Sequence, residues 1–176
     1  MSEETFSPQV LWDRQGEQGT ADIILHWWAC LRGEKEIDPR PFPSGTRAIL
    51  RRAYTPDDAL LSAGFRHLWL ALPPGRRRAS DMLAWATVAL ALAEVRIHVP
   101  NQTFAGAMAQ KKKNGEGPRV SELRFQQLLR SADLNELTRR VRRAVHLIGE
   151  EVDVRSLADD ILLWNREKGG AYSLRP

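Results

Sequence analysis

The sequence is poor in residues that bind metals or carry out catalysis. Its 176 residues include one cysteine, Cys30, and four histidines far apart along the chain. One cysteine forms neither an internal disulfide nor a cysteine zinc site, and we expect no histidine to pair with a carboxylate at metal-ligand spacing. The chain also lacks a glycine-rich phosphate loop and a nucleophile elbow. We therefore predict no metal, no cofactor and no enzymatic activity.

Long hydrophobic runs are absent as well. The longest apolar stretch, residues 82–93, has 12 residues, whereas a helix that crosses a bilayer needs about 20. The N-terminal residues are acidic and polar, without the basic and apolar segments of a secretory signal peptide. Together with the single cysteine, these absences predict a cytoplasmic protein that does not contact a membrane.

No stretch alternates apolar and polar residues for long enough to predict a strand, whereas helical spacing recurs. We predict an all-α fold of seven or eight helices, arranged as helical bundles. An N-terminal lobe over residues 1–100 and a C-terminal lobe over residues 101–176 are expected, either separate or packed as one domain. One helix is predicted from residue 57 to 72. Another, from residue 81 to about 96, is apolar almost all round and should be the buried centre.

Two consecutive helices are predicted between residues 119 and 148. Ser121 can cap the first, whose apolar stripe comprises Phe125, Leu128, Leu129 and Ala132. Asp133 can cap the second, and Glu136 completes a capping-box pattern. The apolar face of the second helix comprises Leu134, Leu137, Val141, Ala144, Val145 and Ile148. A different face carries four basic side chains, Arg139, Arg142, Arg143 and His146.

The positive charge is concentrated in two blocks. Residues 46–78 hold seven arginines and two aspartates, for a net charge of +5, and residues 101–149 hold ten basic and four acidic side chains, for +6. The remaining segments are each net negative. Segregated basic blocks are typical of proteins that bind phosphates. A cationic helix face can equally be a solvated surface, so the pattern alone leaves both interpretations open.

Several motifs together resemble one known family. They are the pair Trp27 and Trp28, the sequence GTRAILRRA at residues 45–53, FAGAMA at 104–109, RVSELRFQQLLR at 119–130, the pair Arg142 and Arg143, and LADDILLW at 157–164. In this order the motifs are similar to the CasB family, the small subunit of the type I-E CRISPR surveillance complex, Cascade. The runs at residues 76–78 and 111–113 are not recognised as family features. The second of these opens a glycine-containing stretch, residues 111–118, that predicts a mobile loop.

The resemblance implies an all-helical, non-enzymatic protein with nucleic-acid and protein partners. Two copies would lie head to tail in the complex, touching its backbone subunits, its large subunit and the CRISPR RNA. Their basic surface would hold the displaced, non-target DNA strand. We therefore predict contacts to the backbones of single- and double-stranded DNA and of CRISPR RNA. The predicted contact residues are Arg47, Arg51, Arg52, Lys111, Lys112, Lys113, Arg119, Arg124, Arg130, Arg139, Arg142 and Arg143.

Three alternatives remain at this stage. The basic faces could dock on acidic surfaces of neighbouring subunits, which would make the protein an assembly adaptor. A helix-turn-helix repressor is less favoured, because few Asn or Gln side chains are placed to read bases. Individual arginines could also pair with nearby carboxylates: Arg124 and Arg130 with Glu122 or Asp133, and Arg139 with Glu136.

Overall fold

Nine α-helices dominate this computed structural model, which describes residues 8–11 and 19–169. They are α1 (Thr20–Arg32), α2 (Thr46–Arg52), α3 (Pro56–Leu60), α4 (Ala63–Ala71), α5 (Met82–Glu94), α6 (Phe104–Ala109), α7 (Glu122–Leu129), α8 (Leu134–Leu147) and α9 (Val154–Lys168). Two short 3-10 turns, Pro74–Arg76 and Ala79–Asp81, precede α5. The prediction of an all-α fold is confirmed, but the described residues form nine helices rather than the predicted seven or eight, in part because one predicted helix is divided in two.

Helix α5 is the centre of the fold, as its uniformly apolar sequence predicts. Every residue from Ala84 to Glu94 is buried. The helix packs against α2, α3 and α4 on the N-terminal side of the chain and against α8 and α9 on the C-terminal side. The buried side chains before and after residue 100 therefore belong to one hydrophobic cluster. The division into two lobes stays a prediction.

The segment from residue 57 to 72, predicted as one helix, is divided into α3 and α4. The hydroxyl of Ser62 accepts a hydrogen bond from the backbone N–H of Phe65 at 3.1 Å. This bond caps the start of α4, and such side-chain caps compete with continuation of the preceding helix. Helix α3 has its own capping box, in which Thr55 and Asp58 bond reciprocally.

Two short strands, β1 (Ile97–His98) and β2 (Glu151–Val152), pair in parallel. The prediction that no strand is present is therefore wrong at these four residues, because two-residue strands are too short to show an alternating pattern. The pair ties the end of α5 to the connection between α8 and α9.

The apolar stripe predicted for α7 is shorter than expected. Leu128 is buried and Phe125 is partly buried, but the helix ends at Leu129, so Leu129 and Ala132 are exposed. The hydroxyl of Ser131 bonds to the Leu128 carbonyl at 2.7 Å and satisfies a group that the helix end leaves open. Ser121 precedes α7 as predicted, but its side chain makes no capping hydrogen bond.

Helix α8 agrees closely with its prediction. Asp133 accepts a hydrogen bond from the N–H of Glu136 at 2.8 Å. The Glu136 carboxylate accepts a hydrogen bond from the N–H of Ala132 at 2.7 Å. In a capping box the donor would be the N–H of the N-cap residue, Asp133. The predicted apolar face is buried apart from Leu134, which is partly buried.

The predicted loop at residues 111–118 is closed at its base, where the Lys112 N–H donates a hydrogen bond to the Gly117 carbonyl at 3.1 Å.

A buried carboxylate holds the first described segment, residues 8–11, against the fold. Asp159 on α9 accepts hydrogen bonds from the backbone N–H groups of Gln9, Val10 and Leu11, each at 2.8 Å. Arg76 adds a bond to the Val10 carbonyl at 2.7 Å. Asp159 is only 3% exposed, so its charge is stabilised by these donors rather than by water.

We expect Asp159→Ala to lower the free energy of unfolding by about 2–4 kcal/mol, because three buried N–H groups lose their acceptor. Urea denaturation followed by circular dichroism measures the change. Asp160→Ala is the control for removal of the neighbouring carboxylate. Asp160 makes no hydrogen bond within the described residues, and desolvation together with Asp159 raises its pKa to about 6, so its removal should not lower stability. Equal stability of the two variants would contradict this role for Asp159.

Candidate nucleic-acid interface

The last residue of α5, Glu94, is a buried carboxylate that collects basic side chains from two other helices. Arg142 of α8 donates to Glu94 Oε1 from Nε at 3.0 Å and from Nη2 at 2.8 Å. Arg51 of α2 donates to Oε2 at 3.1 Å, and His146 Nε2 lies 3.3 Å from the same oxygen. A carboxylate that is 4% exposed requires such partners, because burying an unpaired charge costs several kcal/mol. The two basic blocks of the sequence therefore meet at Glu94.

Arg142 is committed to contacts within the protein. Besides Glu94, its guanidinium donates to the backbone carbonyls of Ala53 at 2.6 Å and Arg51 at 2.5 Å. These carbonyls lie at the C-terminal end of α2, where a cation compensates the unpaired acceptors. Only 15% of the Arg142 side chain is exposed. Its position suits it to hold α2 against α8 rather than to face an external phosphate.

Positive charge around Glu94 exceeds what one carboxylate can neutralise. Arg47 donates from Nε to the Ala93 carbonyl at 2.8 Å. Partial burial, with the nearby guanidinium groups of Arg32 and Arg51, lowers the pKa of Arg47. Burial is the largest cause of this shift, and the carboxylates of Glu94 and Glu150 partly offset it. An external anion next to Arg47 would favour its charged form further.

A cavity of about 290 Å³ brings together basic residues that are distant in sequence. Lys112, Lys113 and Arg119 line it, together with Arg96 and one carboxylate, Glu151, which lies 3.6 Å from Arg96. Arg119 is oriented by a hydrogen bond from Nη1 to the carbonyl of Ile148 at 2.8 Å. The two lysines are exposed and make no ion pair within the described residues. We call this site the lysine cavity.

A second, smaller cavity of about 150 Å³ lies between α7 and α8. Arg124, Arg140 and Arg143 line it. Arg140 is paired with Glu136 at 2.7 Å, whereas Arg124 and Arg143 are exposed and have no ion pair or side-chain hydrogen bond in the described part of the chain. We call this site the arginine cleft.

We call Glu94 with Arg47, Arg51, Arg142 and His146 the Glu94 cluster. The Glu94 cluster, the lysine cavity and the arginine cleft adjoin along the C-terminal half of α8. Leu147 lines both cavities. His146 connects the Glu94 cluster to Glu150 through an Nδ1 to Oε1 distance of 2.8 Å, and Glu150 lies 3.8 Å from Arg96 of the lysine cavity. His146 and Glu150 are four residues apart in the sequence, and Glu150 follows the end of α8. We call the continuous surface formed by these three sites the basic face.

Four predicted contact residues lie outside the three sites that form this face. Within the described residues they are exposed and have no side-chain partner: Arg52, Lys111, Arg130 and Arg139. The predicted pairing of Arg139 with Glu136 is not observed, since Glu136 bonds to Arg140, one residue further along. Arg124 and Arg130 pair with neither Glu122 nor Asp133.

Sequence reasoning missed three residues of the basic face. Arg96 and Arg140 line its cavities, and Glu94 orders its centre. The importance of Glu94 could have been predicted, because it is the single charged residue between Asp81 and Arg96 in an otherwise apolar segment. A carboxylate in such a segment needs cationic partners.

Among the described residues, no group of three or more His, Cys, Asp or Glu side chains could hold a metal ion, and no helix is long and apolar enough to span a membrane.

Comparison with protein families identifies the chain. The family model of CRISPR-associated protein Cse2 matches residues 46–175. The chain belongs to the Cse2 family. The match includes both basic blocks and confirms the resemblance to the type I-E Cascade small subunit. Comparisons with curated proteins and with solved structures gave no match.

Membership in the Cse2 family makes this chain a structural subunit of a Cascade CRISPR complex. The matched region contains α2, α5 and α8, which are the helices that meet at Glu94. The basic face therefore lies within the part of the chain that the family model covers.

We expect Glu94→Gln to destabilise the protein by about 2–4 kcal/mol, because it leaves the buried guanidinium of Arg142 without its counter-charge. Chemical denaturation measures the loss. Glu151→Gln is the control, since Glu151 makes a more exposed contact with Arg96 at 3.6 Å and should cost less than about 1 kcal/mol. A Glu94 variant as stable as this control would show that the cluster does not hold the helices together.

Proposed function

We propose that the protein is a non-enzymatic Cascade subunit that binds nucleic-acid backbones without sequence preference and stabilises the displaced non-target strand of the R-loop. The observation that carries this proposal is the basic face, to which both basic blocks of the sequence contribute. Its exposed cations have few carboxylates to neutralise them.

The side chains of the basic face suit phosphate better than bases. Arginine can bind phosphate oxygens bidentately and also stack on unpaired bases. The lysine cavity adds compact charges on an exposed loop. The three sites expose few amide side chains that could distinguish base edges, so binding should be largely independent of sequence.

Holding the displaced strand would contribute directly to target recognition. An R-loop exchanges a DNA duplex for an RNA–DNA duplex of similar stability, so modest additional contacts can shift the balance. A face that binds phosphates acts on any displaced sequence, which a guide-directed complex requires. The same chemistry extends to double-stranded DNA and to the CRISPR RNA backbone.

The contact residues fall into two roles in this proposal. Direct contacts come from cations of the basic face and its surroundings, of which Arg47 and Arg119 are half-buried and the others exposed: Arg47, Arg51, Arg52, Lys111, Lys112, Lys113, Arg119, Arg124, Arg130, Arg139 and Arg143. Arg142, which was predicted as a contact, positions α2 and α8 instead. The protein partners are the backbone and large subunits and a second copy of the chain, in the cytoplasm.

A second candidate function is an assembly adaptor with little nucleic-acid contact. It is favoured by large apolar side chains that are exposed, including Leu61 at 83%, Leu70 at 68% and Leu123 at 67%. Such side chains mark a protein contact where they form a contiguous patch, whereas singly exposed ones are common on any protein surface. On this alternative the basic face would dock on acidic subunit surfaces.

The double variant Arg124→Ala, Arg143→Ala tests the proposed function. We expect weaker binding of the full chain to single-stranded DNA of unrelated sequences. The slope of log affinity against log salt should fall by about 1.4, because each lost phosphate contact removes about 0.7. Fluorescence anisotropy across a salt series measures both quantities.

Arg78→Ala is the matched control for this experiment. Arg78 is an exposed arginine near the start of α5, about 20 Å along the helix from Glu94. It should leave the affinity and the slope unchanged. If the double variant binds DNA normally but fails to join the complex, the adaptor function is correct and the strand-holding function is wrong.

A further inference from the structure

Tyr54 is an aromatic side chain that the fold leaves almost fully in solvent. It is 82% exposed and lies between the end of α2 and the start of α3. Tyrosine normally buries much of its ring, so such exposure in an ordered segment calls for an explanation.

The backbone around Tyr54 is held from both sides. The carbonyl of the preceding residue, Ala53, accepts a hydrogen bond from Arg142 at 2.6 Å. The N–H groups of Tyr54 and Thr55 both donate to Asp58 Oδ2, at 3.1 and 3.0 Å. These bonds hold the pKa of Asp58 below its usual value, so the carboxylate stays charged and the connection stays closed. The ring is therefore presented from a fixed backbone.

Two arginines lie close to Tyr54 in the chain. Arg51 and Arg52 stand three and two residues before it, and Arg52 is exposed without a side-chain partner among the described residues. Arg142 bonds both to the carbonyl of Ala53, the residue before Tyr54, and to Glu94, and so links this segment to the Glu94 cluster. An aromatic ring beside cations that track a phosphate backbone is the usual arrangement for binding single strands.

We propose that Tyr54 is a stacking platform for an unpaired base of the strand whose phosphates follow the basic face. The inference rests on the proposed function and adds to it a preference for single-stranded over double-stranded nucleic acid. Stacking tolerates every base, because each base has an aromatic face. The platform therefore requires no sequence preference.

A protein contact is the competing use of this ring. Ile49 on α2 and Leu61 just after α3, which are 56% and 83% exposed, could complete an apolar patch. The adjacent arginines favour nucleic acid, because interfaces between proteins deplete charge at their centre. Docking of a protein on this ring would overturn the proposal.

The test compares Tyr54→Ala and Tyr54→Phe with the unmodified full chain. We expect Tyr54→Ala to weaken binding to single-stranded DNA about tenfold, with the salt slope unchanged, because a stacked base is lost but no phosphate contact. Tyr54→Phe should retain the affinity, since the ring is kept. Binding to duplex DNA should be the same for all three proteins. On an oligonucleotide with abasic sites, Tyr54→Ala should bind as well as the unmodified chain.

Leu61→Ala is the matched control, because it removes an equally exposed apolar side chain that cannot stack. It should leave single-strand binding unchanged. If the unmodified chain binds single-stranded DNA in a salt-dependent way but Tyr54→Ala binds equally well, stacking is wrong while the proposed function stands. If the unmodified chain shows no such binding, the proposed function itself fails. If Tyr54→Ala and Leu61→Ala both impair complex assembly without affecting DNA affinity, the ring is a protein contact.

Discussion

The burial of one carboxylate organises both the fold and its charged surface. Glu94 ends the most apolar helix of the molecule, where a charge without partners would cost several kcal/mol. The structure meets this requirement by bringing Arg51 and Arg142 onto the two carboxylate oxygens. Helices from the two halves of the chain are thereby joined at one point.

The same constraint explains why the surface remains positive. Arg51, Arg142 and the adjacent Arg47 surround a single buried carboxylate. Glu94 neutralises part of this charge, and Arg51 keeps 44% of its side chain exposed. A binding surface is thus built next to a structural ion-pair cluster, whose rigidity limits the entropy that the exposed cations lose on binding a strand.

Much of the fold was accessible from the sequence because its signals are local or strongly periodic. The cap at Asp133, the apolar face of α8 and the buried character of α5 each follow from residue types at helical spacing. The break at Ser62 was missed, because a serine in an apolar helical stretch gives only a weak capping signal. The paired strands beside α5 are too short for any periodicity, and their existence depends on contacts between residues about fifty positions apart.

The site was less accessible, because neighbouring arginines on α8 have different environments. Arg142 and Arg143 are adjacent in sequence and differ by about 100° around the helix axis. That rotation turns Arg142 toward Glu94 and leaves Arg143 in the arginine cleft. A count of basic residues treats the two as equivalent, although one holds helices together and the other is available to a partner. The distinction depends on a single acidic residue about fifty positions away, so only the packing of α5 against α8 could reveal it.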